Sequence, residues 1–415
     1  MSEEPPRAGD RASRVRDVVS GHMAPLDGLR GVAIAIVLIH NVGAGVQRNA
    51  ANLILKGIFY LHAVGWVGVQ LFFVLSGFLI TGILLDTKGS KGFFRSFYVR
   101  RGLRIFPVYY AILLAWLVIA PRVLSLPAWV VDEQRRNGVW YWTYLSNWVD
   151  PWGKHVAGFG HFWSLAVEEQ FYLLWPLIVV LLGKRGLAAT CVTLAVFALA
   201  VRIAVHAFGL PPLVAYQWTI ARIDALVLGG LAALIVRERA WLERVAPRLR
   251  SSTIVATIAL LVIAPLSRGF NRDHWLTQTL GYGVLSVWCT LVLLILVVGQ
   301  ADRENTWFSR ALSARWLQTL GKYSYAIYVL HLPLATLFFG YVEPWVDAGP
   351  TWRRLAVFGA FELAVFAASF AGALVSWHLL EKRCLALKDV LAPKHPRPAS
   401  AAVAPVEPAE ARTDG

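Results

Sequence analysis

An all-α integral membrane fold of about ten transmembrane helices, with both termini cytoplasmic, follows from three features of the sequence. Hydrophobic residues make up 57% of the 415 residues and charged ones only 16%, against roughly 25% charged in an ordinary soluble domain. The hydrophobic residues fall in blocks of about 20, the length a helix needs to cross a bilayer. The basic residues are shared unequally between alternate loops, as expected of a membrane protein with a fixed orientation. Eighteen tryptophans and thirteen tyrosines suit aromatic belts at two membrane–water interfaces.

The elements follow in chain order. Residues 1–22 are polar, lack a signal-peptide pattern and have little apolar surface to pack. They are predicted to form a disordered cytoplasmic tail before a first span that stays in the membrane. Apolar blocks predict spans at about 27–46, 64–86, 105–121, 163–183, 186–208, 217–236, 252–267, 279–299, 322–342 and 355–380, of which the seventh is the shortest. The Pro- and Ala-rich stretch 393–415 predicts a second disordered tail, leaving one membrane domain over residues 23–392. No internal repeat is visible, which weighs against a transporter built from inverted repeats.

With the amino terminus inside, Arg7, Arg11, Arg14, Arg16 and the clusters at 88–104, 184–185, 237–250, 303–322 and 382–397 hold 26 of the 40 Lys and Arg, and the opposite loops hold ten. That bias sets the orientation of a multi-pass membrane protein. The net charge of +15 does not point to nucleic acid, because the basic clusters are short and scattered between apolar blocks. Cys191, Cys289 and Cys384 give neither metal-ligand spacing nor a disulfide framework.

The functional signal lies in polar residues within the spans, since ionisable groups there face the bundle interior. In "HFWSLAVEEQFYLLWP", His161–Pro176, Ser164 is expected to cap the fourth span and place its first turn at Leu165, leaving Glu168 where the helix dipole favours its charge. His161, Ser164, Glu168 and Tyr172 then share a stripe, and Glu169 points about 100° away. In the first span His40 lies ten residues past Arg30, about 15 Å deeper. His331 lies near mid-membrane in the ninth span. Arg222 and Asp224 in the sixth, two residues apart, face opposite ways and cannot simply neutralise each other.

Taken singly, His40 or His331 fits an interhelical hydrogen bond, Arg30 a positive-inside anchor, and Arg222 with Asp224 a structural pair. Two deep histidines, a deep carboxylate and a deep arginine on four spans imply a polar cavity. In "FYVRRGLRIFPVYY" Arg100 and Arg104 form an i,i+4 fork beside Arg101, which suits a phosphate-bearing ligand and equally a topogenic stop. Gly68, Ser76, Gly77 and Gly82 read as close helix packing. The aromatic stretch "VWYWTYLSNWVDPW" reads as an interfacial belt.

At these residues the sequence closely resembles the acyltransferase family 3 membrane proteins, over about residues 24–388. "LDGLRG" with the following His40, "LFFVLSGFLIT", "FYVRRGLRIFPVYY", "HFWSLAVEEQFYLLWP", "RIDAL" and "YSYAIYVLHLPL" occur in family order. The resemblance implies a domain of approximately ten helices that takes an acyl group, commonly acetyl, from cytoplasmic acyl-CoA. It passes the group to a sugar or other hydroxyl-bearing acceptor, often outside. Arg30 and His40 match the family's arginine–histidine motif, Glu168 its carboxylate, and Arg100, Arg101 and Arg104 its basic block.

Two departures stand out. Arg30 and His40 enclose nine residues where the family usually has ten, which turns one relative to the other by about 100°. Arg383 stands where the family often has proline. Some members carry an extracellular hydrolase-like domain after the last span; about 35 residues follow it here, so the membrane domain is expected to act alone or with a separate partner.

O-acylation needs a base for the acceptor hydroxyl, donors for the oxyanion and a clamp for the CoA phosphates. The expected base is His40, with Glu168 as its orienter or as an alternative base on the same hydroxyl, and His331 as a second polar wall. Arg30, Arg100, Arg101 and Arg104 are expected to bind the donor, with His161, Ser164, Tyr172, Arg222 and Asp224 lining the remaining cavity. No metal or permanently bound cofactor is expected. The expected partners are acyl-CoA, a carbohydrate or glycoconjugate acceptor and the lipid bilayer. The rival reading is a proton-coupled transporter or flippase of a polar or lipid-linked substrate, which predicts no acyl-CoA turnover; the missing repeat and the arginine fork count against it.

Overall fold

The computed structural model describes residues 8–42, 53–304, 306–346 and 350–392, and the regular structure within them is helical. The helices that place the site are α1 (Ala8–Ser20), α2 (Ala24–Val42), α3 (Leu53–Val64), α4 (Val67–Thr87), α5 (Phe93–Leu113), α6 (Ala128–Trp142) and α7 (Trp163–Leu181). They continue with α8 (Lys184–Ala207), α9 (Thr219–Ile235), α10 (Leu249–Leu266), α11 (Tyr282–Ala301), α12 (Arg315–Val346) and α13 (Thr351–Ser376). Ten segments, built on α2, α4, α5 and α7 through α13, are long and apolar enough to cross a membrane. They coincide with the ten predicted blocks.

Two expectations are corrected. The third spanning helix begins at Phe93, about three turns ahead of the predicted start, so Arg100, Arg101 and Arg104 ride on the helix itself. Gly92, at φ 72°, makes the left-handed turn into it that a side chain would strain. The expected amino-terminal tail contains α1, which buries Ala12 and Val15 and sets Arg11 and Arg14 against Asp302 at 2.9 and 3.2 Å. Those contacts offset the low apolar content on which the disorder expectation rested. Residues 1–7 and 393–415 lie outside the described residues.

Ten crossings bring both ends of the chain to one side, the terminal face. Arg100 Nη2 donates there to the carbonyl of Ala392, and Arg237 makes a two-pronged contact with Asp86, both bonds 2.7 Å. Lys88 Nζ ties the end of α4 to the end of α7 through the carbonyls of Val179 and Leu182, at 2.7 and 2.8 Å. The opposite side, the far face, carries α3, α6 and the turns before α7.

Small residues decide which helices touch. A Cβ on Gly28 or Gly31 of α2 would collide with the carbonyl of Leu312 or Leu317, and one on Gly321 of α12 with that of Asp27. Likewise Gly77 of α4 meets Leu226, and Gly229 of α9 meets Val74. In lipid, where apolar side chains gain little by leaving the solvent, such backbone approach is what holds helices together. By contrast α5 packs chiefly on the carboxy-terminal segment 377–391 and on α12, and is tied to α7 by Tyr98, whose hydroxyl donates to the Leu173 carbonyl at 2.8 Å. The space between α5 and the α4–α7 pair stays open.

The basic-residue bias predicts a cytoplasmic terminal face. In a Cys384→Ser background, which leaves only the two buried native thiols, Lys154→Cys should react with a membrane-impermeant maleimide in intact cells. Lys91→Cys and Arg244→Cys should react only after permeabilisation. The reverse pattern would invert the orientation.

Candidate active site

A cavity of about 620 Å³ fills that space, walled by α2, α4, α5, α7 and α12. α4 contributes Val69, Phe72, Phe73, Ser76, Leu79, Ile80 and Ile83, spaced by three and four as one helical face requires. α5 faces it with Ser96, Phe97, Arg100, Arg101, Arg104 and Ile105, α7 with Ser164, Leu165, Glu168, Glu169 and Tyr172, and α12 with Ser324, Tyr325 and Tyr328. Arg30 enters from α2. Helices α4 and α7 run from the far face to the terminal face, and α2, α5 and α12 run the other way. Arg100 therefore lies toward the terminal mouth, Glu168 and Ser76 near the middle, and Ser164 and Tyr328 at the far end.

The polar groups are linked. Ser76 Oγ hydrogen-bonds Tyr172 OH, and the Arg101 guanidinium lies 5.6 Å from the centre of the Tyr172 ring. Arg30 Nη2 donates to Ser324 Oγ at 3.4 Å, and Arg100 Nε to Ser96 Oγ at 3.2 Å. Ser76, Arg101, Tyr172 and Arg30 are the polar neighbours of Glu168. Four arginines and two glutamates line the cavity, a positive excess suited to an anionic ligand.

Several expected positions shift. Helix α7 starts at Trp163 with Phe162 in the capping position and no side-chain cap. Ser164 lies inside the first turn, its Oγ 2.5 Å from Tyr328 OH, and both hydroxyls reach the His161 carbonyl at 3.1 and 3.0 Å. Its hydroxyl satisfies a carbonyl of the preceding turn instead of an amide of the next. Ser164, Glu168 and Tyr172 do share the cavity stripe, whereas His161 precedes the helix and stands behind it. Glu169, expected to point elsewhere, also lines the cavity, because the open side of α7 spans both directions. Ser76, read from sequence as a packing residue, is a cavity hydroxyl.

His40 and Glu168 fall in different clusters. The neighbours of Glu168 are those named above, while His40 is surrounded by His62, Arg272 and Asp273 near the far face. His40 Nδ1 donates to the His62 carbonyl at 2.5 Å, and His62 Nε2 pairs with Glu362 at 2.6 Å. The reason is helical phase. Asn41, eleven residues past Arg30, returns to nearly the same face of α2, and His40 sits about 100° short of it. Asn41 meets His331, Nδ2 to Nε2 at 3.0 Å, and His331 Nδ1 donates to the Tyr328 carbonyl at 2.6 Å. That bonding fixes His331 as the neutral tautomer with a proton on Nδ1. The His161 ring packs 4.5 Å from that of His331, and neither of its nitrogens has a partner. Burial, with His331 beside it, holds His161 well below the usual histidine range, so it is neutral.

Arg222 and Asp224 lie outside the cavity lining. Arg222 donates to Gln70 Oε1 and sits 4.3 and 5.3 Å from the ring centres of Tyr282 and Tyr216. Asp224 Oδ2 pairs with Arg202 Nη1 of α8 at 3.0 Å. Sequence reading passed over Arg202, although a charged residue in an apolar block is the signal that would have found it. His62 and Glu362, 300 residues apart, offered no such local signal.

The family described as an acyltransferase domain (acyltransferase 3) has a model that matches residues 24–378. "Putative peptidoglycan O-acetyltransferase YrhL" of Bacillus subtilis is 30% identical over 330 residues, 75% of this chain and 48% of the relative. "O-acetyltransferase OatA" of Staphylococcus aureus is 27% identical over 329 residues, 75% of this chain and 50% of the relative. "Peptidoglycan O-acetyltransferase OatA" of Listeria monocytogenes is 27% identical over 333 residues, 76% of this chain and 50% of the relative. The chain thus spans about half the length of the curated relatives it matches. No solved structure matches it.

Two stability outcomes follow from the buried charges. Arg202→Ala strands the Asp224 carboxylate and should cost about 3–5 kcal/mol, read as a large fall in the unfolding temperature in detergent. On the far face Asp150, 5% exposed, accepts a hydrogen bond from Tyr141 OH at 3.0 Å. Burial pushes its carboxyl up to about 8 from 3.8, with the Tyr141 bond acting the other way. The folded state keeps that proton where the unfolded chain releases it, so stability should be greatest at acid pH and fall as pH rises across this window. Asp150→Asn should flatten the fall in a pH series of thermal melts.

Proposed function

Because the chain belongs to the acyltransferase 3 family, as the match over residues 24–378 shows, we propose that it is a membrane O-acyltransferase. It moves an acyl group, acetyl in the simplest case, from cytoplasmic acyl-CoA to a hydroxyl of a carbohydrate acceptor. The observation that carries this reading is one continuous cavity joining the arginine row near the terminal face to Glu168 in the middle of the bundle. The names of the relatives support a peptidoglycan-like glycan as the acceptor class, and their bacterial sources support a location in the cytoplasmic membrane.

In this reading Arg100 and Arg104 hold the CoA phosphates, and the thioester lies at the level of Ser76, beside Arg101. Glu168 takes the proton of the acceptor hydroxyl as its oxygen attacks the thioester carbon. The C–O bond forms, the C–S bond breaks, and the proton passes from Glu168 to the departing thiolate, giving the ester and CoA thiol. Ser76, Tyr172 and the guanidinium groups of Arg30 and Arg101 face the carbonyl oxygen as charge builds on it. Glu168 is the base in preference to His40, because Glu168 shares the cavity with the arginines and His40 does not line it. His40, whose Nδ1 proton is committed to the His62 carbonyl, and the His161–His331 pair line the acceptor's approach beyond Ser164 and Tyr328.

Glu168→Gln should lower transfer by about 10²–10⁴-fold while purified protein still binds CoA in calorimetry. Arg100→Ala combined with Arg104→Ala should weaken CoA binding by at least about tenfold and make what remains less sensitive to salt. Wild-type turnover by Glu168→Gln would remove it as base. Unchanged CoA affinity in the folded double variant would return the arginines to a topogenic role.

A further inference from the structure

The cavity is longer than the reaction just described requires. Thr87 and Val69 mark its two ends on α4, and eighteen residues of helix separate them by about 27 Å. The pantetheine arm from phosphate to sulfur has about thirteen bonds, which at the roughly 1.2 Å per bond of an extended peptide-like chain span about 16 Å. A phosphate held by Arg100, whose guanidinium reaches back to Ser96 and to the Ala392 carbonyl at the terminal mouth, delivers its sulfur near Ser76, about eleven residues up α4 from Thr87. From Ser76 to Val69 some 10 Å of cavity remain, whereas an acetyl group fills only a fraction of that length.

This remaining end has two chemically different sides. On the α4 side stand Val69, Phe72 and Phe73, with Leu165 of α7 beside them. On the other stand the hydroxyls of Ser164 and Tyr328, behind which lie His161 and His331. The rings of Phe72 and Tyr328 meet edge to face at 6.4 Å and divide the two. A hydroxyl-bearing acceptor has hydrogen-bond partners only on the second side. Apolar carbon is better accommodated on the first, since unpaired polar groups there would lose their hydration.

We infer that Val69, Phe72, Phe73 and Leu165 form a subsite for the acyl chain of the donor, open to unbranched chains longer than acetyl, up to about six carbons. The inference rests on the acyl-CoA reading above and adds the donor's chain-length class to it. Phe72 is its gauge: it faces the cavity at the turn beyond Ser76, so its size sets how far a chain extends before reaching Val69.

The test is competition binding of CoA, acetyl-CoA, butyryl-CoA and hexanoyl-CoA to the full-length protein in nanodiscs. Burying each methylene is worth about fourfold in affinity at most, so hexanoyl-CoA should bind at least about tenfold tighter than acetyl-CoA, with butyryl-CoA between them. Phe72→Trp should abolish this gain and leave the affinity for CoA itself unchanged. Phe72→Ala, in case the larger residue does not fold, should extend the gain to octanoyl-CoA. Flat chain-length dependence with CoA bound would overturn the acyl subsite alone, as would a gain that survives Phe72→Trp. Failure of CoA itself to bind would overturn the donor reading and the subsite with it.

Discussion

No side chain stands between α2 and α12 where Gly28, Gly31 and Gly321 meet carbonyls of the opposing segment, and that closeness sets what the two helices can share. Arg30 reaches Ser324, and Asn41 reaches His331. The first two are eleven residues apart on α2 and the second pair seven apart on α12, near-integral numbers of turns on both. The same crossing therefore aligns one polar contact inside the cavity and another beyond its far end. A helix pair separated by leucines would hold neither.

Charges in this bundle are handled in two ways, enclosed among partners or facing the cavity. Arg202, Asp224 and Arg222 are fully enclosed and matched by one another, by Gln70 and by aromatic faces. Glu168, Arg101 and Arg104 look into open volume, where a charge keeps solvent or meets a ligand. The enclosed set resists change because removing one member strands another. The open set can meet a ligand without rebuilding its surroundings.

The spans were legible because a hydrophobic block of membrane-crossing length is a local property, and all ten emerged from it. The arginine row and Glu168 were legible for the opposite reason: each interrupts such a block. Phase was harder. Arg30 and His40 can be placed at their depths by counting, but the nine-residue interval left open which way His40 turns, and only the packing of α2 against α3 directs it to the His62 carbonyl. Partners such as Glu362 for His62, or Tyr328 for Ser164, belong to helices brought together by tertiary packing, and no periodicity reports them. The helix at Ala8–Ser20 was missed because its stability comes from Asp302, almost 300 residues away.

The pairing of Arg202 with Asp224 bears on how the chain is made. α8 and α9 are consecutive spans, so the two charges emerge from the ribosome within some two dozen residues of each other. A nascent helix carrying Arg222 and Asp224 alone would be a poor candidate for release into lipid, at a cost of several kcal/mol. Folded back on α8 as a hairpin, it presents a neutralised Asp224 before any later helix exists. Gln70, the ligand of Arg222, has by then been synthesised with α4 and can receive it. The order of the spans along the chain thus matches the order in which their charges need company, and the bundle can be assembled in the direction of translation.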